Sequence, residues 1–138
     1  MSIQFDKVQP KNKIQLKQLV DYAFKHNIYD LNFIDTSEIT DMSLLFSNRM
    51  HNFDVSSWDV SNVTNMGYIF YHCKNFNCDL SNWDVSKVKN MNYMFYNCKN
   101  FNCDLSDWDI SNITRWKNMF GGCDKMTIPN WYKLYHKK

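Results

Sequence analysis

The chain contains a unit, Leu80-Ser-Asn-Trp-Asp-Val-Ser-Lys-Val-Lys-Asn-Met-Asn-Tyr-Met-Phe95, that recurs on both sides at a spacing of 25 residues. The later copy is Leu105-Ser-Asp-Trp-Asp-Ile-Ser-Asn-Ile-Thr-Arg-Trp-Lys-Asn-Met-Phe120, and the earlier copy is Val55-Ser-Ser-Trp-Asp-Val-Ser-Asn-Val-Thr-Asn-Met-Gly-Tyr-Ile-Phe70. A more divergent copy, offset by 24 residues, is Leu31-Asn-Phe-Ile-Asp-Thr-Ser-Glu-Ile-Thr-Asp-Met-Ser-Leu-Leu-Phe46. A fixed period of this size is typical of stacked repeats, so the sequence predicts four coils over about residues 29–125.

Two periodicities alternate within each unit. Leu80, Trp83 and Val85 fit the alternation of a short strand. The apolar residues that follow recur at the spacing of one helix face, and they are Val88, Met91, Met94, Phe95 and Cys98. The pattern therefore predicts an α/β protein, a leucine-rich-repeat solenoid of about four coils. Each coil would hold 24–25 residues in the order strand, turn, short helix.

The whole chain, residues 1–138, is predicted to form one domain, because no linker interrupts it. Residues 1–28 would cap the first coil, and residues 126–138 would cap the last one. The N-terminal cap is predicted to contain a helix over residues 12–26, with Ile14 outward and an inward stripe of Leu16, Leu19, Val20, Ala23 and Phe24. Ile3, Phe5 and Val8 would add an edge strand. At the other end, Gly121-Gly122 would end the last helix, and residues 128–131 would lie over the final coil.

Three columns of identical side chains are predicted to form a buried core ladder, because they fall on the apolar positions of the last three copies. They are Trp58, Trp83 and Trp108; Phe70, Phe95 and Phe120; and Cys73, Cys98 and Cys123. Five cysteines cannot pair completely. The C-x4-C spacing from Cys73 to Cys78 leaves zinc or a disulfide open, but small buried thiols are favoured, and no metal site is predicted.

An aspartate follows the central apolar residue of each unit, which is Ile34 in the first copy and tryptophan in the others, giving the column Asp35, Asp59, Asp84 and Asp109. These carboxylates would either accept backbone N–H bonds in turns through the serine two residues later, or bind a cation or a basic partner. Asp54, Asp79 and Asp104 form a second column, which would hold return turns in the same manner. One candidate binding surface is the predicted concave face, which carries Ser57, Asp59, Asn82, Asp84, Asp107 and Asp109.

The second candidate binding surface consists of tyrosines that repeat beside the apolar stripe. Its members are Tyr68, Tyr71, Tyr93 and Tyr96. Tyrosine is enriched in protein interfaces, so a strip of this kind predicts a partner surface. The alternative is that these rings only cover the edge of the core.

Catalysis has little support in the sequence. The histidines do not recur with the period, and the three glycines form no phosphate-binding loop. The sixteen basic and fourteen acidic residues are scattered, which argues against nucleic-acid binding. No enzyme, cofactor or membrane insertion is predicted. The N-terminus has no apolar segment of the signal-peptide type, so the expected location is the cytoplasm of the producing or virus-infected cell, with a virion or a non-classical route to the surface as the alternative.

The motif W-D-[VI]-S-x-[VI]-x-x-M-x-x-[MI]-F-x-x-C resembles that of the BspA-like leucine-rich-repeat surface proteins. The chain departs from that pattern at Trp116, in place of Met, and at Cys78 and Cys103, in place of Gln. The resemblance implies a leucine-rich-repeat solenoid of host-associated bacteria, some protists or large DNA viruses, in proteins associated with adhesion.

These observations together predict a non-enzymatic protein–protein interaction or scaffolding module with an unknown protein partner. The alternatives are a structural or assembly component, for example of a virion, and a surface adhesin without its own signal peptide. Self-association is open, because stacked repeats have ends that can pair with further repeats.

Overall fold

A computed structural model describes residues 7–136 of the chain. It contains two helices, α1 (Lys13–Lys25) and α2 (Asn130–Tyr135). Between them the described chain has no strand and no further helix, only turns and isolated parallel bridges between single residues, such as Asn65 with Asn90 and Asn90 with Arg115. The predicted α/β leucine-rich-repeat solenoid of strand, turn and short helix is therefore wrong. The 25-residue units stack, but each of them is built from turns.

The short helices are absent because alternate N–H groups bond to the neighbouring repeat and not within their own segment. Met66, Tyr68, Phe70 and His72 donate to carbonyl oxygens 24 residues later, at 2.8–3.1 Å. Of the residues between them, Ile69 and Tyr71 close i→i−3 turns, and the N–H of Gly67 bonds to Asn65 Oδ1. A helix needs consecutive residues with negative φ, and Tyr68 and His72 both have a φ of 60°. The apolar spacing suits a helix, but this backbone cannot form one.

The same pattern recurs in four turn segments, residues 42–48, 66–72, 91–97 and 116–122. Each of the first three donates four N–H groups to the next repeat: one to the residue just before the following segment, and three to that segment itself. Positive φ recurs at two positions four residues apart in every segment, and the positions are Leu44 and Asn48, Tyr68 and His72, Tyr93 and Asn97, and Asn118 and Gly122. Stacking of identical backbone conformations, and not strand pairing, therefore joins the repeats.

The strand predicted around Leu80, Trp83 and Val85 is absent for a related reason. The N–H of Trp83 bonds to the carbonyl of Leu80, and the N–H of Val88 bonds to the carbonyl of Val85, both at 3.0 Å. Asp84 adds a third turn, because its Oδ1 accepts the N–H of Ser86 at 3.0 Å. Three turns in ten residues leave no extended stretch long enough for a strand.

The core consists of stacked columns of side chains. Phe70 and Phe95 have ring centroids 5.6 Å apart, and Phe95 and Phe120 are 5.7 Å apart, with nearly parallel planes. Trp58, Trp83 and Trp108 are 4–5% exposed. Cys73 and Cys98 are fully buried, whereas Cys123, in the last repeat, is partly exposed. The Sγ atoms of the three cysteines donate to the carbonyls of Phe46, Phe70 and Phe95 at 2.9–3.0 Å.

Helix α1 covers the first repeat. Asn12 is its N-cap, since Asn12 Oδ1 accepts the N–H of Gln15 at 2.9 Å. Leu16, Val20 and Ala23 are buried against the core, and Ile14 is exposed. Of the predicted edge strand, Ile3 and Phe5 lie outside the described residues. Val8 makes one isolated bridge with Ile34.

The C-terminal segment extends one of the core columns. Trp131, in α2, donates its indole N–H to the carbonyl of Leu105 at 2.9 Å, which is the bond that Trp108 makes to Leu80 at 3.0 Å. Gly121 and Gly122 belong to the last turn segment, so the helix that they were predicted to end is absent there. Within residues 7–136, no helix has the length and apolar character that crossing a membrane requires.

Candidate binding surface

Four tyrosines of the two central turn segments form a compact group, which we call the tyrosine array (Tyr68, Tyr71, Tyr93 and Tyr96). Tyr68 stacks on Tyr93 at 4.9 Å between ring centroids, and Tyr71 stacks on Tyr96 at 5.5 Å. Within each repeat the two rings are also in contact, at 5.2 Å and 5.5 Å. All four side chains are half-buried. The array is therefore a two-by-two patch of rings held against one another on the surface.

The backbone under the array is held in a conformation that bulky residues seldom adopt. Tyr68 and Tyr93 have φ values of 60° and 54°. Such backbone persists only where its surroundings fix it. Here the Tyr68 N–H bonds to the carbonyl of Asn92, and the Tyr93 N–H bonds to that of Lys117, both at 2.9 Å. The stacking of repeats therefore sets both the position and the direction of the tyrosine side chains.

The hydroxyl groups of the array are largely unengaged. Tyr93 Oη accepts a bond of 3.4 Å from Asn118 Nδ2. Within residues 7–136, the hydroxyls of Tyr68, Tyr71 and Tyr96 make no hydrogen bond to protein groups. No buried side-chain nitrogen or oxygen in that range lacks a partner. These three hydroxyls therefore reach solvent and can bind a partner.

The array ends where the repeats diverge. The two positions that hold tyrosine in the central repeats hold Leu44 and Ser47 in the first repeat and Asn118 and Gly121 in the last. Gly121 leaves room for the Tyr96 ring at this border, because a Cβ at residue 121 would come within 2.7 Å of that ring. His72 adjoins the array, with its ring 4.1 Å from that of Tyr71.

The aspartate column predicted as the other surface consists of turn formers. Asp59, Asp84 and Asp109 are exposed, and the Oδ1 of each accepts the N–H of the serine two residues later at 3.0 Å. These serine bonds hold the pKa values of Asp84 and Asp109 below the ordinary value, and they do the same for Asp35. The second column is built in the same way, since Asp54, Asp79 and Asp104 accept the N–H groups of Ser56, Ser81 and Ser106.

The remaining predicted surface residues, Ser57, Asn82 and Asp107, are exposed beside this column. In the described part of the chain, no group of three or more His, Cys, Asp or Glu side chains is arranged to hold a metal ion. All five cysteines are free thiols. Burial raises the pKa of Cys73 to about 12 and that of Cys123 to about 11.

Acidic and basic residues lie on different sides of the stack, although the net charge of the chain is only +2. The aspartate-bearing segments, residues 28–40, 52–63, 77–88 and 102–113, hold ten acidic residues and one lysine. The segments between them, residues 41–51, 64–76, 89–101 and 114–127, carry the tyrosine array and hold seven basic and two acidic residues. The array therefore lies on the basic side. Counting charges by position within the repeat would have revealed this separation from the sequence.

Several asparagines outside the predicted binding surfaces join consecutive repeats. Asn52 Oδ1 accepts the N–H of Asn77 at 2.9 Å, and Asn77 Oδ1 accepts that of Asn102 at 3.1 Å. A second column runs from Asn65 to Asn90, whose side chains bond at 3.1 Å. The signal that could have revealed them is their recurrence at the 25-residue period.

Comparison with known proteins gives one assignment. No curated protein and no solved structure matches the chain. A family model matches residues 14–131, which cover α1 from its second residue, all four turn segments and the start of α2. The chain belongs to the family described as Mycoplasma protein of unknown function, DUF285.

Proposed function

We propose that this chain is a non-enzymatic protein-binding module that contacts its partner through the tyrosine array. The observation that carries the proposal is the two-by-two group of half-buried, mutually stacked tyrosine rings. Tyrosine supplies a large contact area together with a polar hydroxyl, and it is enriched in interfaces and in their energetically dominant positions.

The rigidity of the array supports this role. Binding loses free energy when mobile side chains become ordered, by about 0.5–1.5 kcal/mol for each flexible side chain. Tyr71 and Tyr96 are already stacked at 5.5 Å, so they lose little further freedom on contact. Rigid aromatic anchors of this kind are characteristic of binding surfaces with low ordering costs.

The electrostatics of the array favour a partner with acceptor groups. Three hydroxyls without protein partners within residues 7–136 can donate hydrogen bonds, and the surrounding segments carry an excess of basic residues. Carboxylates or backbone carbonyls flanked by apolar side chains would complement this surface. The acidic side of the stack is the less suitable surface, because its carboxylates are already engaged with serine in turns.

The experiment compares two double variants of the full chain as immobilised bait in the lysate of its native host. Tyr71→Ala with Tyr96→Ala removes one stack of the array, and Asp84→Asn with Asp109→Asn neutralises the acidic column while retaining its turn acceptors. Partners captured by the natural chain should be lost from the tyrosine variant and kept by the aspartate variant. The opposite pattern would place the interface on the acidic side.

A second measurement separates partner binding from assembly. We expect light scattering at millimolar concentration to give the mass of a monomer for the natural chain and for both variants. A concentration-dependent mass that the tyrosine variant abolishes would identify the array as a self-association surface and overturn the proposal of a foreign partner. The cytoplasmic location expected from the sequence stays a prediction.

A further inference from the structure

The backbone–backbone hydrogen bonds between turn segments all run in one direction. Segment 42–48 donates its N–H groups to segment 66–72, which donates to segment 91–97, which donates to segment 116–122. Each of these three junctions has four bonds from alternate residues, with lengths of 2.7–3.1 Å. Direction and register are therefore constant along the stack, and its two ends differ chemically: one presents carbonyl oxygens, and the other presents N–H groups.

Among residues 7–136, nothing accepts hydrogen bonds from the N–H end of the stack. By the register of the junctions, Trp116, Asn118, Phe120 and Gly122 should each donate to a following segment. In the described chain none of these four N–H groups makes a hydrogen bond, whereas the equivalent groups of Met91, Tyr93, Phe95 and Asn97 all do. Unpaired backbone donors in a row are a template for pairing with another backbone.

The carbonyl end is closed by α1. Lys13, at the start of the helix, donates to Ser43 Oγ at 2.7 Å, and Asp21, two turns later, pairs with Arg49. The helix therefore runs alongside the first turn segment, in the place that a preceding repeat would occupy. Phe46 in that segment is fully buried as a result.

Helix α2 covers the N–H end only in part. Tyr135 and Tyr132 pack on Trp116 and Phe120, with ring centroids 4.7 Å and 5.0 Å apart. Asn118 and Gly122 are exposed. The core side chains are also more exposed at this end, because Cys98 is fully buried and Cys123 is only partly buried. Val88 is likewise buried, but its counterpart Ile113 is not.

We infer that the unpaired edge formed by residues 116–122 binds a turn segment of another polypeptide that carries a copy of this repeat with an uncovered carbonyl edge. The three internal junctions show the complementary chemistry, which is a backbone presenting carbonyl oxygens at alternate residues. Main-chain pairing of this kind supplies affinity in other edge-binding proteins. This edge borders the tyrosine array at Asn118 and Gly121, but it would bind through backbone N–H groups and not through the tyrosine rings, so the inference does not depend on the proposed function.

A second copy of this chain does not present the uncovered carbonyl edge that binding requires. Its carbonyl edge is already covered by α1. The helix is held to the first repeat by the hydrogen bond from Lys13 to Ser43 and by the ion pair between Asp21 and Arg49. A tail-to-tail dimer would instead oppose N–H donors with N–H donors. The partner is therefore a different repeat-bearing chain, whose first turn segment has no covering helix.

The test measures amide hydrogen exchange of the full chain by NMR, because exchange reports individual N–H groups. The probe is a synthetic peptide with the sequence of residues 90–112, which includes four of the carbonyls that act as acceptors inside the stack. The matched control is the same peptide with Tyr93→Pro, since proline cannot adopt the φ of 54° found at that position. A reducing agent keeps the thiols free.

In the free chain, the amides of Trp116, Asn118, Phe120 and Gly122 should exchange at least tenfold faster than their counterparts in segment 91–97. Millimolar probe peptide should slow these four amides at least tenfold, and the proline peptide should not. The inference is overturned if the four amides are already protected in the free chain. It is also overturned if the probe leaves them unchanged or protects the whole chain evenly.

Discussion

The indole N–H of Trp83 donates a hydrogen bond of 3.0 Å to the carbonyl of Val55, which lies 28 residues earlier in the chain. Trp58 makes the equivalent bond to Leu31, and Trp108 makes it to Leu80. The indole also packs against Phe70, with ring centroids 5.9 Å apart. In three of the four repeats, one tryptophan side chain therefore combines core packing with a buried hydrogen bond across the junction.

Trp83→Ala should lower the free energy of unfolding by about 3–5 kcal/mol, the range for emptying a large aromatic site. The substitution also removes the indole hydrogen bond to the Val55 carbonyl, which then keeps only the N–H of Trp58 as a donor. Trp83→Phe should cost less, because it retains much of the packing. Urea denaturation followed by circular dichroism measures both effects. Ile14→Ala, at an exposed helix position, serves as the control and should change stability by less than about 0.5 kcal/mol. An unchanged midpoint for Trp83→Ala would contradict the packing described here.

The stacking of side chains could be read from the sequence, whereas the backbone conformation could not. Trp58, Trp83 and Trp108 recur at a fixed period, and a constant repeat length brings such residues into one column. The apolar spacing from Val88 to Cys98 is also correct for one buried face. The spacing does not show whether an N–H bonds within its own segment or to the next repeat. In this chain, every other N–H of a turn segment bonds to the next repeat.

The residues with positive φ explain why the sequence pattern predicted helices that the structure does not contain. Asn48 and Asn97 are residue types that tolerate positive φ, but Tyr68 and Tyr93 are not, so composition alone gives no warning of a break there. For the candidate site, the recurrence of the tyrosines was visible in the sequence. Their stacking into one array and their free hydroxyls depend on the turn backbone, and therefore required the structure.

The buried thiols should make the protein less stable as the pH rises. Burial raises the pKa of Cys73 to about 12, from an ordinary value of 9.0, and it also raises the pKa of Cys98. A raised pKa means that the folded chain holds the proton after the unfolded chain has released it. The stabilisation is complete below about pH 9 and is lost between pH 9 and pH 12, by up to about 1.4 kcal/mol per pH unit for each thiol.

Urea midpoints measured from pH 7.5 to pH 10.5 test this prediction. Cys98→Ala should show a shallower decline than the natural chain, because one of the buried protons is gone. Comparing the two slopes removes the contribution of lysines and tyrosines, which both chains share. Equal slopes would mean that the Cys98 thiolate is tolerated in the folded state, contrary to its burial.

The aspartate turns should have the opposite pH dependence. Hydrogen bonds from the hydroxyl and the N–H of Ser86 hold the pKa of Asp84 below its ordinary value of 3.8. A lowered pKa contributes stability above pH 3.8, and that contribution is lost as the pH falls through the lower value of the folded state. The melting temperature should therefore fall between pH 5 and pH 2.5.

Two substitutions separate charge from turn formation at this position. Asp84→Asn keeps an oxygen that can accept the Ser86 N–H, and it should melt close to the natural chain at pH 7 with a weaker acid dependence. Asp84→Ala removes the acceptor and should melt lower at every pH. If Asn and Ala were equally destabilising, the carboxylate charge, and not the turn, would be what matters.

The left-handed backbone of the turn segments can be tested at Asn48, an exposed residue with a φ of 66°. Asn48→Gly should alter stability by less than about 1 kcal/mol, because glycine adopts this φ freely but also increases the entropy of the unfolded chain. Asn48→Val should cost about 1–2 kcal/mol or more, since a β-branched residue is strained there. The side chain faces solvent, so lost packing does not explain a difference between the two. Equal urea midpoints would imply that residue 48 has a negative φ in solution, and the alternating hydrogen bonds that join the first two turn segments would then have to be redrawn.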